Sequence, residues 1–190
     1  MIVLASSSPR RHLLLEMLGI EHIVDPADID EDFESHETAR DLAVRLAREK
    51  AAAVAARHPG QIVLSADTLV VLGSEILGKP SSVNEAENMI AKLAGREHRV
   101  VTAVAVARDG VLLDRCDDTR VWFRPLSEEM ISAYVATGEP MDKAGGYGVQ
   151  GYGSVLVERI EGDYFGVMGL PLRLVAEILE EVGQPYRFTR

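Results

Sequence analysis

The stretch around which the chain is organised is Ile2-Val3-Leu4-Ala5-Ser6-Ser7-Ser8-Pro9-Arg10-Arg11. Its first residues form a short apolar run that is typical of a strand, and the serines mark a tight turn. Ser8 suits the N-cap position of a helix, and Pro9 suits the first helical position, where its missing N–H costs nothing. We therefore predict a strand, a turn and a helix that begins at Pro9.

Two interpretations of this helix start remain open. Backbone N–H groups at a helix N-terminus favour an anion, and the guanidinium groups of Arg10 and Arg11 favour it further. The stretch would then be a phosphate-binding turn. The alternative is a capped first helix with solvated arginines, which the same residues support equally well.

Length and composition predict one globular domain over residues 1–190. The hydrophobic content of 47% and the charged content of 26% are ordinary for a soluble protein with a buried core. The net charge of -10 argues against binding to nucleic-acid polymers or to an anionic membrane surface. A phosphate ligand would therefore require the few basic groups to be gathered in one place.

Other sequence features point to a cytoplasmic protein. Cys116 is the only cysteine, which excludes an intrachain disulfide and a thiolate metal cluster. We find no signal-peptide pattern and no apolar run long enough to span a bilayer, so a cytoplasmic location is expected.

Hydrophobic periodicity and turn residues predict a mixture of helices and strands. The first helix should bury an apolar face made of Leu13, Leu14, Met17 and Leu18. The predicted helices cover about residues 9–18, 38–57, 82–93, 127–135 and 171–182. The predicted strands after the first one cover about residues 22–24, 62–72, 75–77, 100–107, 111–123 and 155–160.

Two charged residues lie within apolar stretches. Lys50 falls on the apolar face of the predicted helix 38–57, where it must snorkel, pair with an acid or meet a ligand. Asp67 is the only charge in the predicted strand 62–72. Because a buried carboxylate is costly without a cation, a metal or a ligand, we interpret Asp67 as a functional residue.

A phosphate-loop signature is suggested and then excluded by the residues around Lys79. Gly73 to Lys79 spell G-x-x-x-x-G-K, but Pro80 stands where the signature requires a hydroxyl residue. The proline also keeps Lys79 out of helical conformation. We reject a P-loop, and Lys79 remains a cation at the end of a strand.

Two loop-like segments have open interpretations. Residues 25–37 are acidic, and we expect most of their carboxylates to be solvated, although one could serve a metal ion. Residues 139–153 are rich in glycine, which allows close backbone approach to a ligand but also suits a flexible connector. Gln150, in this second segment, can read a base through its paired donor and acceptor groups.

Several short motifs together resemble the Maf family, a family of nucleoside triphosphate pyrophosphatases historically linked to septum formation. The motifs are Ser6–Arg11, Leu46–Ala51, Ala66–Thr68, Gly78–Pro80, Asp142–Gly151 and Gly166–Pro171. Each motif is short, but their joint order and spacing are specific. They extend from the first predicted strand to the last predicted helix.

The resemblance implies both a fold and a reaction. The implied fold is α/β and similar to that of the inosine triphosphate pyrophosphatases (ITPase-like), with a mixed β-sheet flanked by helices and two lobes around a central cleft. The implied reaction cleaves a nucleoside triphosphate between its α and β phosphorus atoms, which gives a monophosphate and pyrophosphate. The implied cofactor is a divalent cation, Mg²⁺ or Mn²⁺, and a homodimer is compatible with the family.

The resemblance also implies catalytic and binding roles. Asp67 would be the general base and, with Glu31, a metal ligand, although Asp30 and Asp32 adjoin Glu31 in the sequence. The implied substrate-binding residues are Ser8, Arg11, Lys50 and Lys79.

Three positions define substrate preference in the family, and they fall here on Arg10, Thr68 and Gln150. This set resembles the subgroup that acts on dTTP and UTP. The subgroup that acts on 7-methyl-GTP carries Trp, Glu and Glu at these places, so a pyrimidine substrate is expected.

Two alternatives come from different classes of function. One is a pyrophosphatase for modified or other nucleotides. The other is a non-catalytic, nucleotide-binding regulator of septum formation, which should carry a broken set at Asp67, Lys50 or Lys79. All three residues are present.

Overall fold

The structure is a computed structural model that describes residues 1–32 and 37–188. Its helices are α1 (Pro9–Met17), α2 (Ala39–Ala55), α3 (Val83–Leu93), α4 (Glu128–Val135), α5 (Tyr164–Met168) and α6 (Leu172–Glu181). Its strands are β1 (Ile2–Leu4), β2 (His22–Val24), β3 (Ile62–Leu72), β4 (Glu75–Leu77), β5 (Glu97–Arg108), β6 (Val111–Phe123) and β7 (Val157–Glu161). Short 3-10 turns occupy Glu139–Asp142, Ala144–Gly146 and Tyr152–Leu156.

The strands form one mixed sheet in the order β2-β1-β3-β5-β6-β7, with β4 paired to β3. β1 pairs in parallel with β2 and β3, so that Val3 lies opposite Ile23 and Val63. β3 with β4 and β6 with β7 are antiparallel pairs. The predicted mixed α/β sheet is therefore confirmed. Except at the half-buried Thr68 and Leu69, β3 is buried along its length, as expected of a strand covered on both faces.

The contacts divide the chain into two compact units. The first unit comprises Met1–Asp67, Thr102–Asp117 and Gly169–Arg190. The second unit comprises Thr68–Val101 and Asp118–Met168. Across the described part of the chain, none of the helices has the length and apolar character that a membrane span requires.

The predicted apolar face of α1 is wrong in part. Leu14 and Leu15 are buried, whereas Leu13 and Met17 are 55% and 58% exposed. Apolar side chains crowd this helix, so several neighbouring stripes have helical spacing and periodicity alone selects none of them. The buried stripe is rotated by about one residue from the predicted one, which is about 100° on a helix.

The rings of His98, Phe123 and Tyr147 pack against one another in the core of the second unit. His98 is only 2% exposed, and its Nε2 lies 2.8 Å from the hydroxyl of Tyr147. The rings of Phe123 and Tyr147 meet the imidazole edge-to-face at 5.0 and 5.4 Å. His98 Nδ1 has no hydrogen-bond partner among the described residues. Burial lowers the pKa of His98 to about 4, so the imidazole is neutral in the folded protein at neutral pH.

This burial predicts a pH-dependent stability. The unfolded chain binds more protons than the folded chain between pH 4 and about 6.5, so the free energy of unfolding should fall as the pH falls through this range. The contribution of His98 is at most about 1.4 kcal/mol per pH unit. Chemical unfolding of the parent and of His98→Gln at several pH values should show a shallower dependence for the variant.

Tyr147→Phe is the matched control for this prediction. It removes the hydrogen bond but leaves the imidazole buried, and burial is the cause of the shift. The control should therefore keep the parental pH dependence. Equal slopes for the parent and His98→Gln would contradict the assignment.

Candidate active site

Arg11, near the start of α1, is held at two points, one of which lies in the turn between β1 and α1. Ser6 Oγ accepts hydrogen bonds from the backbone N–H of Ser8 at 3.2 Å and from Arg11 Nη1 at 3.0 Å. Arg11 Nε donates to the carbonyl of Gly169 at 2.8 Å. Ser8 stands at the predicted N-cap position, but its side chain makes no capping hydrogen bond. The hydroxyl that organises this turn is therefore that of Ser6.

Arg11 lies in an environment that combines burial with nearby charge. Burial lowers its pKa, and the neighbouring guanidinium of Arg10 lowers it further. The carboxylates of Asp67 and Glu31 act in the opposite direction. Because a guanidinium has a very high intrinsic pKa, Arg11 remains charged. Two predicted site carboxylates thus act electrostatically on one predicted site cation.

The packing of α2 on β3 brings Lys50 to Asp67. Ser65 Oγ on β3 donates to the carbonyl of Ala47 on α2 at 2.5 Å. Residues 65 and 67 point to the same face of the strand, and residues 47 and 50 are about one helical turn apart on α2. The contact between Asp67 and Lys50 therefore lies next to the contact between Ser65 and Ala47. Lys50 Nζ donates to Asp67 Oδ1 at 2.7 Å.

Burial decides which interpretation of Lys50 applies. Lys50 is 9% exposed and Asp67 is 6% exposed. Lys50 therefore pairs with an acid and does not snorkel to the solvent. The prediction that Asp67 is buried with a partner is confirmed.

The acidic segment contributes Glu31 to the same cluster. Glu31 Oε1 lies 2.6 Å from Lys50 Nζ, so one ammonium group bridges two carboxylates. Asp30, its sequence neighbour, accepts a hydrogen bond from the backbone of Asp32 at 3.2 Å. Glu34 lies outside the described residues. The contact with Lys50 thus favours Glu31 over Asp30 as the member of this segment that joins the site.

The second oxygen of Asp67 is an exception to the usual rule for buried polar atoms. Asp67 Oδ2 is buried and has no hydrogen-bond partner among the described residues. A buried carboxylate oxygen without a partner is costly, so the position is suited to a bound group that completes it. A water molecule or a metal ion would each be a chemically suitable partner for this oxygen.

The donor set limits which metal would fit. The described residues contain no cluster of three or more His, Cys, Asp or Glu side chains that could enclose a metal ion. Glu31 and Asp67 supply only carboxylate oxygens, both directed toward Lys50. Mg²⁺ commonly binds through one or two carboxylates, with water and phosphate oxygens as its other ligands. These two residues fit a cation of that kind.

The remaining predicted residues belong to the second unit. Thr68 follows Asp67 on β3 and is half-buried, whereas Lys79 and Gln150 are exposed. The carbonyl of Gly78, next to Lys79, accepts a hydrogen bond from the N–H of Gly145 at 2.9 Å. The glycine-rich segment is therefore attached to the β3–β4 hairpin.

Gly145 shows why this segment is not a flexible connector. Its φ is +68°, and a Cβ at this position would lie 2.8–2.9 Å from side-chain atoms of Val70. Close backbone approach is thus used here to pack against the protein's own strand. Sequence reasoning identified the glycine density but not this contact.

Two contributors to the arrangement were not assigned a role from sequence. Ser6 and Gly169 hold Arg11, although neither is charged. Both lie inside motifs of the family resemblance, and this was the available signal. The catalytic, metal-binding and substrate-binding roles predicted for the site residues, among them Ser8, Lys79 and Gln150, remain predictions.

Comparison with known proteins first defines the fold. A solved HAM1 protein from Coxiella burnetii superposes with a TM-score of 0.50 and is 17% identical, over 95% of this chain and 98% of that one. This likeness concerns the fold alone. It agrees with the ITPase-like α/β architecture expected from the sequence.

Closer relatives define the family. Residues 1–182 match the family model described as Maf-like protein. The chain is 48% identical over 184 residues to a dTTP/UTP pyrophosphatase of Symbiobacterium thermophilum, covering 97% of this chain and 95% of the relative. It is 51% identical over 185 residues to a protein of the same name from Methylobacillus flagellatus, covering 96% and 92%. The chain belongs to the Maf family.

Removing Lys50 should destabilise the protein, because the Asp67 carboxylate would then be buried without a cation. Lys50→Met leaves Asp67 without its cation, and the free energy of unfolding should fall by about 3 kcal/mol, as for other broken buried pairs. Adding Asp67→Asn should recover part of this loss, because the uncompensated charge is then gone. Urea unfolding of the full chain measures both effects.

Lys92→Met is the matched control. Lys92 pairs with Glu75 on the surface, where the two side chains are 48% and 50% exposed. Such pairs contribute at most about 1 kcal/mol. A Lys50→Met variant no less stable than the control would show that Asp67 does not depend on Lys50.

Proposed function

We propose that the protein is a nucleoside triphosphate pyrophosphatase that hydrolyses dTTP and UTP. The observation that carries the proposal is the buried Asp67, which pairs through one oxygen with Lys50 and whose other oxygen has no partner among residues 1–32 and 37–188. Relatives about half identical to this chain bear the name dTTP/UTP pyrophosphatase. We expect the enzyme to act on free nucleotides in the cytoplasm.

Asp67 is the proposed general base. Lys50 holds Oδ1, which orients the carboxylate, while Oδ2 accepts a proton from water. The water oxygen attacks the α-phosphorus. The bond from that phosphorus to the bridging oxygen breaks, and its electron pair leaves with pyrophosphate. The other product is the nucleoside monophosphate.

The cations of the site stabilise the triphosphate and the charge that develops on the leaving group. Arg11 is held in place by Ser6 and Gly169, so its guanidinium need not be ordered when substrate binds. Lys50, Lys79 and the turn at Ser8 are the further phosphate contacts that we propose. In a chain of net charge -10, such a concentration of cations is what a triphosphate requires.

A divalent cation, Mg²⁺ or Mn²⁺, is the proposed cofactor, with Glu31 and Asp67 as its protein ligands. When bound, such an ion activates water and neutralises phosphate charge. Lys50 contacts one oxygen of each carboxylate, Glu31 Oε1 and Asp67 Oδ1. Asp67 would therefore share its carboxylate between Lys50, the ion and the attacking water.

Arg10, Thr68 and Gln150 are the proposed determinants of base preference. Thymine and uracil present both carbonyl acceptors and an N–H donor, and the Gln150 amide offers the complementary pair. Thr68 follows the catalytic Asp67 directly on β3, so it can shape the pocket beside the reacting atoms. The intact Lys50–Asp67 pair does not favour a non-catalytic regulator, which should lack part of this set.

Asp67→Asn should nearly abolish turnover while the chain stays folded. Loss of a general base typically lowers the rate by ~10²–10⁴-fold. Pyrophosphate release from a panel of purine, pyrimidine and modified triphosphates, with Mg²⁺ and with chelator, measures the effect. The parent should prefer dTTP and UTP and should lose activity with chelator.

Asp118→Asn serves as the control for this substitution. Asp118 is an exposed carboxylate paired with Arg99, and its variant should retain parental activity. Parental turnover in Asp67→Asn would refute the assigned base. No release from any triphosphate by the parent would refute the enzymatic proposal.

The two neighbouring arginines should differ in effect. Arg10→Ala should change the ratio of kcat/KM values among nucleotides more than it lowers turnover of the best one, because Arg10 is proposed to act on the base. Arg11→Ala should lower turnover on every triphosphate. The same nucleotide panel measures both, and an unchanged preference in Arg10→Ala would contradict this division of roles.

A further inference from the structure

Glu139 has an unusual position within the glycine-rich segment of the second unit. Its Oε2 accepts a hydrogen bond from the N–H of Tyr152 at 2.7 Å. Its Oε1 accepts from the N–H of Gly153 at 2.9 Å and from the Tyr134 hydroxyl at 3.1 Å. One carboxylate thus fixes two consecutive backbone groups that lie just beyond Gln150.

The glycines around Gln150 make room for this arrangement. A Cβ at Gly151 would lie 2.6 Å from Glu139 Cδ and still closer to Oε2. A Cβ at Gly148 would lie 2.8 Å from Lys143 Cε. Lys143 Nζ in turn donates to the carbonyl of Glu139 at 2.7 Å. The turn that carries Gln150 is therefore enclosed on both sides by Glu139 and Lys143.

The donors around this carboxylate suit an anion. Burial, followed by the charge of Glu139, raises the pKa of Tyr134, so its hydroxyl remains protonated and can donate. Hydrogen bonds to a charged acceptor are roughly twice as strong as neutral ones. Two of the three donors are the backbone N–H groups of Tyr152 and Gly153, which Glu139 therefore holds, and the third, the Tyr134 hydroxyl, fixes Glu139 itself.

We propose that Glu139 is a positioning residue for base selection, which acts by holding the turn that presents Gln150. The inference rests on the proposed function, in which Gln150 contacts the pyrimidine. Gln150 itself is exposed on this turn, so its amide can discriminate bases only if the backbone beneath it is fixed. Small displacements of a positioning group can cost ~10²-fold in rate.

The test compares Glu139→Ala and Glu139→Gln with Glu158→Ala, an exposed glutamate on β7 of the same unit. Glu139→Ala removes all three hydrogen bonds. It should raise KM for dTTP and lower the preference for dTTP over a purine triphosphate by about tenfold, with a smaller change in kcat, because Asp67 and Lys50 are untouched. Glu139→Gln keeps one acceptor oxygen and should be intermediate. The control should match the parent.

A mutant cycle separates positioning from general stability. In a Gln150→Ala background, Glu139→Ala should cause no further loss of nucleotide preference, because the group that Glu139 positions is already gone. A merely structural role would lower the unfolding free energy without changing preference. An equal change of preference in both backgrounds would overturn the proposal.

Amide hydrogen exchange supplies a readout that does not depend on activity. In the nucleotide-free, full-length protein, the N–H groups of Tyr152 and Gly153 should lose protection in Glu139→Ala and partly in Glu139→Gln. A parent without pyrophosphatase activity would refute the proposed function and the inference with it. An active parent whose Glu139 variants keep KM and preference would refute the inference alone, whatever the exchange result. If Glu139→Ala does not fold, Glu139→Gln decides the same question.

Discussion

The buried ion pair between Lys50 and Asp67 is the contact on which the proposed chemistry depends. Asp67 lies in a strand covered on both faces, where an ionised carboxylate requires a countercharge. That requirement fixes the relation of α2 to β3, which Ser65 reinforces by its hydrogen bond to Ala47. Because desolvation offsets much of the attraction within a buried pair, an apolar pair could fill this space at no loss of stability. We therefore regard the pair as a feature of the site and not of the core.

Charged side chains occur in two settings in this molecule, in a group around Asp67 and in pairs on the surface. Although the chain carries a net charge of -10, Arg11 and Lys50 lie where the carboxylates of Asp67 and Glu31 act on them. Elsewhere, acids and bases form surface pairs such as Lys92 with Glu75 and Arg173 with Glu177. These exposed pairs contribute little to stability. The partly buried group near Asp67 is where electrostatic energy is available for binding and catalysis.

Sequence reasoning predicted contacts correctly where a charged residue lies in an otherwise apolar stretch. An acid in an apolar strand and a lysine on an apolar helix face each need a partner, and the structure pairs them with each other. Sequence reasoning failed where several sets of residues have the spacing of a buried helix face. In α1, adjacent apolar stripes fit this spacing equally well, and the wrong one was predicted to be buried. It also missed Ser6, because three consecutive serines offer the same chemistry and only the turn geometry selects one. The role of Glu139 depends on hydrogen bonds across 13 and 14 residues, which periodicity does not encode.

In the turn around Gln150, one set of residues fixes the backbone conformation, and a different residue, Gln150, is proposed to contact the base. Its backbone is held by the side chains of Glu139 and Lys143 and by glycines that fit against them. The residue at position 150 projects from that frame toward solvent. Side chains could therefore be exchanged at this one position without rebuilding the loop. A framework of this kind allows the substrate range to diverge by single substitutions, in evolution as in a directed library, while the hydrolytic machinery on β3 stays the same.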